Sequence, residues 1–267
     1  MSCAALAMIL AIVVAISHHN DEARLSSVAN AISASDKVPS GKAIAILQFV
    51  YHDQGFHKNP GYFVFPQFGP TAVQVLENGG DCADKSRLLV ALLKQAGIES
   101  TPVMLFDDRM HPTHTVVEAE VESGQMELDP VYDLFFPRSG GGFYGSAELR
   151  SNSQVLRDRL ERMSLVDAKA RYYHIETSGY SHASTFNWEK TWYTRAVKLV
   201  LLRFYGDRVY QLRRPSIIED PKLLVAASLA APAVTVFVFV ALGNGLWTAK
   251  RTRRLAQPVS IRAPRVT

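Results

Sequence analysis

The sequence predicts an α+β domain flanked by two apolar segments, and three observations support this prediction. A helical pattern ends at Gly97 and is followed by two segments that alternate in polarity, which is typical of a helix packed on an antiparallel sheet. Residues 223–249 contain no charged residue, and residues 3–16 form an unbroken apolar run. A chain of 267 residues with 48% hydrophobic content and two cysteines is not a disulfide-framed mini-protein.

Two short helices are predicted before the main one. Residues 41–51 carry apolar side chains at the spacing of one helical face, which favours a helix there. The stripe consists of Ala43, Ile46, Leu47 and Val50. Residues 53–70 are rich in glycine, proline and aromatic residues and are predicted to be a loop, and a helix at residues 71–77 is ended by Asn78-Gly79-Gly80.

The next helix has a strong start signal. Asp81 is a favourable N-cap, and Asp84 three residues later resembles a capping box, so the helix is expected to begin at Cys82. Its buried stripe is expected to consist of Leu89, Leu92, Leu93 and Ala96. Gly97 ends it.

A β-hairpin is predicted after a first strand at residues 101–106. Residues 114–121 alternate, and residues 125–129 return after a turn near Ser123-Gly124. A turn at Ser123-Gly124 would pair Asp129 with Glu118. A turn one residue earlier would pair Asp129 with Val116 and bring it within diagonal reach of His114.

Beyond residue 137 the pattern is coarser. Helical stretches are predicted at residues 147–173 and 188–205, the second leading toward the apolar C-terminal segment. Trp188 and Trp192 lie one helical turn apart, which favours packing in a core or interface. His174 and His182 in the same region are candidates to line a cleft or to pack against that helix.

Cys82 is the one cysteine outside the apolar N-terminal run. At the first turn of a helix, the macrodipole and free backbone N–H groups favour a thiolate. A nucleophilic thiolate also needs a base and a group that orients the base. His114 and Asp129 are predicted to project from the same face of the hairpin, so they are the candidate base and orienting group.

These residues carry a family resemblance. The segment Gly79-Gly80-Asp81-Cys82-Ala83-Asp84-Lys85 resembles the nucleophile motif of the transglutaminase-like superfamily. His114-Thr115-Val116-Val117-Glu118 and Leu128-Asp129-Pro130 resemble its histidine and aspartate strands, in the same order. The resemblance covers residues 43–137. Here Thr115 and Val116 follow the histidine, where this family often has a bulky aromatic residue close by.

The resemblance implies a papain-like core, in which a helix bearing Cys82 packs on an antiparallel sheet bearing His114 and Asp129. It implies that Cys82 attacks an acyl carbon, His114 moves the proton and Asp129 holds the imidazole. We therefore expect a thiol enzyme, with peptide or amide hydrolysis favoured over protein-glutamine acyl transfer. The Cys82 backbone N–H is expected to contact the oxyanion, and Gln67 and Gln74 are candidates for a second donor.

Two other interpretations compete with this one. Asp107, Asp108, His111 and His114 are clustered, so a metal site is an alternative, although Pro112 separates the histidines and the chain contains no HExxH motif. A membrane-tethered binding or assembly module that keeps the fold without catalysis is the other alternative. The triad itself needs no cofactor, and none is expected.

The two apolar segments predict membrane attachment. Residues 223–247 are long enough at ~1.5 Å per residue to cross a ~30 Å hydrocarbon core. The cluster Lys250-Arg251-Thr252-Arg253-Arg254 should stay in the cytoplasm by the positive-inside rule. Residues 3–16 suit either a cleaved signal, with Ala15-Ile16-Ser17 as the cleavage site, or an uncleaved anchor. Both readings place the central domain outside the cytoplasm.

The predicted organisation is a signal or anchor at 1–17, a catalytic domain at 18–138 and a helical extension at 139–221. A transmembrane helix at 222–249 and a basic cytoplasmic tail at 250–267 complete the chain. Without the six basic residues of the tail, 23 basic residues face 25 acidic ones, so the net charge of +4 gives no evidence for nucleic-acid binding. The expected partners are a peptide or protein substrate and the lipid bilayer. The sequence does not specify an oligomeric state.

Overall fold

The computed structural model describes residues 2–166, 179–189 and 191–255. Its helices are α1 (Ser2–Ser33), α2 (Pro39–His52), α3 (Ala72–Asn78), α4 (Cys82–Gln95), α5 (Ser146–Ser151), α6 (Ser153–Val166), α7 (Trp192–Tyr205), α8 (Ser216–Glu219) and α9 (Pro221–Leu255). Its strands are β1 (Ser100–Phe106), β2 (Pro112–Val121), β3 (Gly124–Asp129) and β4 (Leu134–Phe135). Residues 167–173 of the helix predicted at 147–173, His174, and residues 256–267 of the predicted tail fall outside the described residues.

The four strands form one antiparallel sheet in the order β1-β2-β3-β4. Helices precede and follow this sheet along the chain, so the α+β class is confirmed. The β2–β3 connection is a two-residue turn at Glu122 and Ser123, because Val121 pairs with Gly124. Sequential strands joined by short turns need no crossover connection, which explains the simple meander.

One face of the sheet carries the main hydrophobic core. The predicted apolar stripe of α2 is fully buried there, as are Leu89, Leu92 and Leu93 of α4. Val117, Ala119, Met126 and Leu128 of the hairpin complete this layer from the sheet side. Burying a side chain of leucine size stabilises a fold by ~2 kcal/mol, so this layer fixes α4 on the sheet.

The opposite face of the sheet is covered by the second half of the domain. Val103, Leu105, Val116, Leu134 and Phe136 pack there against residues that follow the hairpin. Those residues are Leu149 of α5, Leu156 and Leu160 of α6, and Tyr180 and Ala183 of the following segment. The helical extension predicted after residue 138 therefore contributes directly to a core beside the hairpin.

The chain divides into two compact units. One contains residues 1–16 and 225–267, and the other contains residues 17–224. Within the part of the chain that the structure describes, two helices are long and apolar enough to cross a membrane, at Cys3–Ser33 and Pro221–Ala241. α9 continues through Pro232 without a break.

Within the larger unit, the middle of α1 and the start of α9 are joined by polar contacts. Lys222 Nζ lies 2.6 Å from Asp21 Oδ2 and donates to Ser17 Oγ at 2.8 Å. His18 Nδ1 lies 3.0 Å from Asp220 Oδ2. These contacts place residues 17–21 beside residues 220–222.

The tryptophan prediction is half correct. The helix predicted from residue 188 begins instead at Trp192, because Thr191 caps it by accepting from the Thr194 N–H. Trp188 lies before the helix, is buried, and lines a cavity of about 210 Å³ together with His182. Trp192 is 79% exposed, so it does not pack in a core, and packing in an interface stays a prediction.

Candidate active site

Cys82 is the first residue of α4, as the capping signal predicts. Asp81 Oδ1 accepts from the N–H groups of Ala83 and Asp84, at 2.9 and 3.1 Å. Asp84 Oδ2 accepts in return from the Asp81 N–H, which completes the capping box. Local side-chain chemistry therefore sets the residue at which this helix begins.

The capping box does not occupy every backbone N–H group in the first turn of α4. Asp81 occupies the second and third N–H groups of α4, and the first N–H belongs to Cys82 itself. Among the described residues, no hydrogen bond from this N–H is found. A donor on the nucleophile's own backbone is suited to hold the oxyanion of a tetrahedral intermediate.

Two glycines bring the chain to Cys82 through a tight passage. Gly79 has φ +70°, and a Cβ added there would lie 2.6 Å from Gly55 O. A Cβ on Gly80 would overlap the Asp84 side chain. Gly80 also forms a parallel bridge with Phe56. Only residues without a side chain allow this segment to pass between the preceding loop and α4.

The hairpin register brings His114 and Asp129 together. Glu118 pairs with Glu127 and Val117 with Leu128, so the same register sets Asp129 opposite Val116. This is the second of the two predicted registers. The first, which pairs Asp129 with Glu118, is wrong because the turn is at Glu122-Ser123. His114 is therefore the diagonal neighbour of Asp129 on one face of the sheet.

These two side chains form a fully buried pair. His114 Nε2 donates to Asp129 Oδ2 at 2.8 Å, and both side chains have no solvent exposure. The second carboxylate oxygen, Oδ1, accepts from the N–H groups of Val131 at 2.8 Å and Tyr132 at 3.3 Å. The Tyr132 ring lies 5.5 Å from the imidazole, centroid to centroid. The imidazole is thus fixed by a carboxylate that is itself fixed by the backbone.

The charges around His114 favour its protonated form. Burial lowers its pKa, but Asp129, through charge and hydrogen bond, and a hydrogen bond with the Cys82 side chain outweigh burial and raise the pKa to about 10. The thiol of Cys82 therefore lies beside a side chain that carries a positive charge at neutral pH.

Ser86 and Lys85 connect α4 to its surroundings near the site, and sequence analysis did not identify either. Ser86 is fully buried, and its Oγ donates to Thr115 O at 3.0 Å. Lys85 Nζ donates to Val50 O and Tyr51 O at the end of α2, and burial lowers its pKa to about 8. The signal in the sequence that could have identified Ser86 and Lys85 was a polar side chain at a position of α4 that faces the core.

The sheet face beside Asp129 is acidic. Glu127 is fully buried two residues before Asp129, and burial, Glu118 and Asp129 raise its pKa well above the ordinary value. Tyr180 packs over this face, and its pKa is also raised well, chiefly by burial. The Ser146 N–H donates to Glu118 Oε2 at 2.8 Å. Burial among these acidic groups therefore favours the neutral form of the Glu127 carboxyl.

The other candidates have different roles. Gln74 Oε1 accepts from the Thr71 N–H in the capping box of α3, and Gln67 is exposed in the turn Pro66–Phe68. Asp107 Oδ1 accepts from the N–H groups of Arg109 and His111. Among the described residues, no group of three or more His, Cys, Asp or Glu side chains is arranged to hold a metal ion.

Comparison with solved structures gives two partial likenesses. A candidate cysteine protease from Cytophaga hutchinsonii matches 41% of this chain at 18% identity, with a TM-score of 0.35. A candidate protease from Parabacteroides distasonis matches 48% of it at 17% identity, with a TM-score of 0.34. The chain spans 37% and 26% of the lengths of these two proteins. No family model and no curated protein matches it. Likeness at this level leaves the chemistry to be argued from Cys82, His114 and Asp129 themselves.

Proposed function

We propose that this protein is a membrane-anchored thiol hydrolase of the transglutaminase-like type, with Cys82 as nucleophile, His114 as acid and base, and Asp129 as the orienting carboxylate. The observation that carries the proposal is the buried His114–Asp129 pair, whose imidazole also hydrogen-bonds Cys82 at the start of α4. A buried charged pair is costly to maintain for packing alone, so a chemical role accounts for it better.

The reaction follows from these positions. The Cys82 thiolate attacks the carbonyl carbon of an amide, and the Cys82 N–H donates to the resulting oxyanion. His114 gives its proton to the leaving amine, and a thioester forms at Cys82. Water then attacks the thioester while His114 takes one of its protons, the sulfur leaves as the acid is released, and the thiolate and imidazolium are restored.

Membrane attachment is the second part of the proposal. The two apolar helices are proposed to anchor the domain, and the basic cluster after α9 is proposed to lie in the cytoplasm. The central domain at 18–138 and its extension at 139–221 would then lie outside, beside substrates at the cell surface or in the envelope.

The test uses the full chain in detergent, with Cys3→Ser as background so that Cys82 is the one thiol. Pools of internally quenched peptides report amide hydrolysis, and Cys82→Ala is the matched control. We expect turnover that Cys82→Ala abolishes, and a peptidyl acyloxymethyl ketone should label the parent at Cys82 and not the control.

Two outcomes would revise the proposal. If peptides are consumed only when a dansylated alkylamine is present, and the amine is incorporated, the enzyme is an acyltransferase. If no peptide is consumed and Cys82 reacts like a free thiol, the non-catalytic binding module replaces the enzyme.

A further inference from the structure

The outward side of α7 is apolar. None of its residues is buried, and its large apolar side chains are mostly exposed. The exposed set is Trp192, Tyr193, Val197, Leu199, Val200, Phe204 and Tyr205, with Trp192 at 79% and Phe204 at 76%. A surface helix of a soluble domain normally places such residues inward.

The inward side of α7 is instead the more polar one. The half-buried residues of α7 are Thr194, Lys198, Leu201 and Leu202, so two of the four are polar, and Lys198 Nζ lies 2.5 Å from Glu189 Oε1. At 100° per residue, Thr194 and Lys198 project opposite to Trp192 and Val200. Of the described helices and strands, the 3₁₀ turn Gly206–Gln211 is the one that packs extensively on α7. The large apolar side chains of α7 therefore face away from the domain, which is the reverse of the arrangement in a helix that faces water.

The composition of α7 indicates what covers this face. The helix contains Arg195, Lys198 and Arg203 and no acidic residue. Aromatic residues lie at both of its ends. Cationic and aromatic residues around an apolar face are typical of helices that lie in a bilayer interface. Residues 206–220 separate α7 from α9, and a chain of this length spans at most ~50 Å.

We propose that α7 lies in the headgroup region of the bilayer, with Trp192, Val200 and Phe204 directed toward the acyl chains. This inference rests on the membrane anchoring proposed above. The occupant is an anionic lipid surface, whose charge complements Arg195 and Arg203, the two exposed cations of the helix. The catalytic domain would then have a lipid contact of its own in addition to its apolar anchors.

The experiment measures the depth of Trp192 in a bilayer. The full chain with Trp188→Phe and Trp247→Phe keeps Trp192 as its single tryptophan and is reconstituted in phosphatidylcholine vesicles with phosphatidylglycerol. Lipids brominated near the headgroup should quench roughly half of its fluorescence, and iodide should quench little. Val200→Trp in a Trp192→Phe background gives a second reading at the same face.

The matched control is Gln154→Trp on the exposed side of α6, in the same background without other tryptophans. It should be quenched by iodide and not by brominated lipid. If Trp192 behaves like this control, the proposal is overturned. Protection from both quenchers that depends on the protein-to-lipid ratio assigns the face to a second copy and also overturns it.

Vesicle flotation separates this proposal from the anchoring on which it rests. If the chain does not float with the vesicles, the anchoring itself has failed. If it floats while Trp192 stays accessible to iodide, the anchoring stands and the placement of α7 is wrong.

Discussion

Ser86 Oγ donates to Thr115 O at 3.0 Å, and this bond joins the helix that carries Cys82 to the strand that carries His114. Ser86 lies one helical turn after Cys82, and Thr115 follows His114 directly. The bond therefore holds Cys82 and His114 at a fixed distance, although neither Ser86 nor Thr115 has a part in the proposed chemistry.

We expect Ser86→Ala to slow the alkylation of Cys82 at pH 6 by roughly fivefold, because loss of the bond relaxes the contact between the two elements at a cost of ~1 kcal/mol. The rate with iodoacetamide in the Cys3→Ser background is the measurement. Ser151→Ala, which removes a hydroxyl bonded to Glu148 O on the exposed α5, should leave the rate unchanged. Equal rates in all three proteins would show that Ser86 has no positioning role.

The pH dependence of Cys82 reactivity should follow the protonation of His114. Because its pKa is raised to about 10, the imidazolium persists across neutral pH, and we expect the alkylation rate of the parent to be nearly flat from pH 6 to 9. His114→Gln should make the rate rise steeply with pH. Matching profiles for parent and variant would contradict a Cys-His pair.

Gly80→Ala should destabilise the domain by ~2 kcal/mol or more, because its new Cβ would overlap the Asp84 side chain. Gly140→Ala is the matched control, since a Cβ there meets no atom within 4 Å. Urea unfolding followed by circular dichroism measures both. An unfolding midpoint for Gly80→Ala as high as that of the control would show that α4 can shift to admit the side chain.

Glu127→Gln should stabilise the domain increasingly as pH rises. The pKa of Glu127 is raised in the folded state, so unfolding releases its proton above pH 4.5, and parent stability falls with a slope of up to ~1.4 kcal/mol per pH unit. The amide removes this slope. Unfolding free energies at pH 5, 6.5 and 8 give the comparison, and a difference that stays constant with pH would mean that Glu127 ionises normally.

A reporter enzyme active only outside the cytoplasm should be inactive when fused after Thr267. The same reporter inserted between the exposed Gly140 and Gly141 should be active, because the domain is proposed to lie outside. Activity measured on intact cells decides between the orientations. The reverse pattern would invert the proposed topology.

Local signals made the first half of the domain predictable. Asp81 and Asp84 define the start of α4 within one turn, and the stripe of α2 faces the core as its spacing predicts. The hairpin register was ambiguous because both two-residue turns are compatible with the sequence and place the same side chains on each face of the sheet, so the alternation of polarity does not distinguish them.

The extension was less predictable. Periodicity extended the last helix of the domain back to Trp188, whereas the Thr191 cap starts it at Trp192. Helical spacing also predicts that Trp192 is packed. Spacing gives the side of the helix on which a residue lies, but it does not show whether another element covers that side. Tyr132 was missed because a stacking partner inside a turn leaves no periodic signal.

The hairpin turn and the capping boxes of α3 and α4 also affect the order of folding. Cys82, His114 and Asp129 lie within fifty residues of one another, and α2 to β4 are built from neighbouring segments. Contacts between segments close in sequence form fast, because little loop-closure entropy is lost. Cys82 and His114 can therefore come together during synthesis before residues 221–255 have been made, so the proposed chemistry would be available before the C-terminal helix is in place.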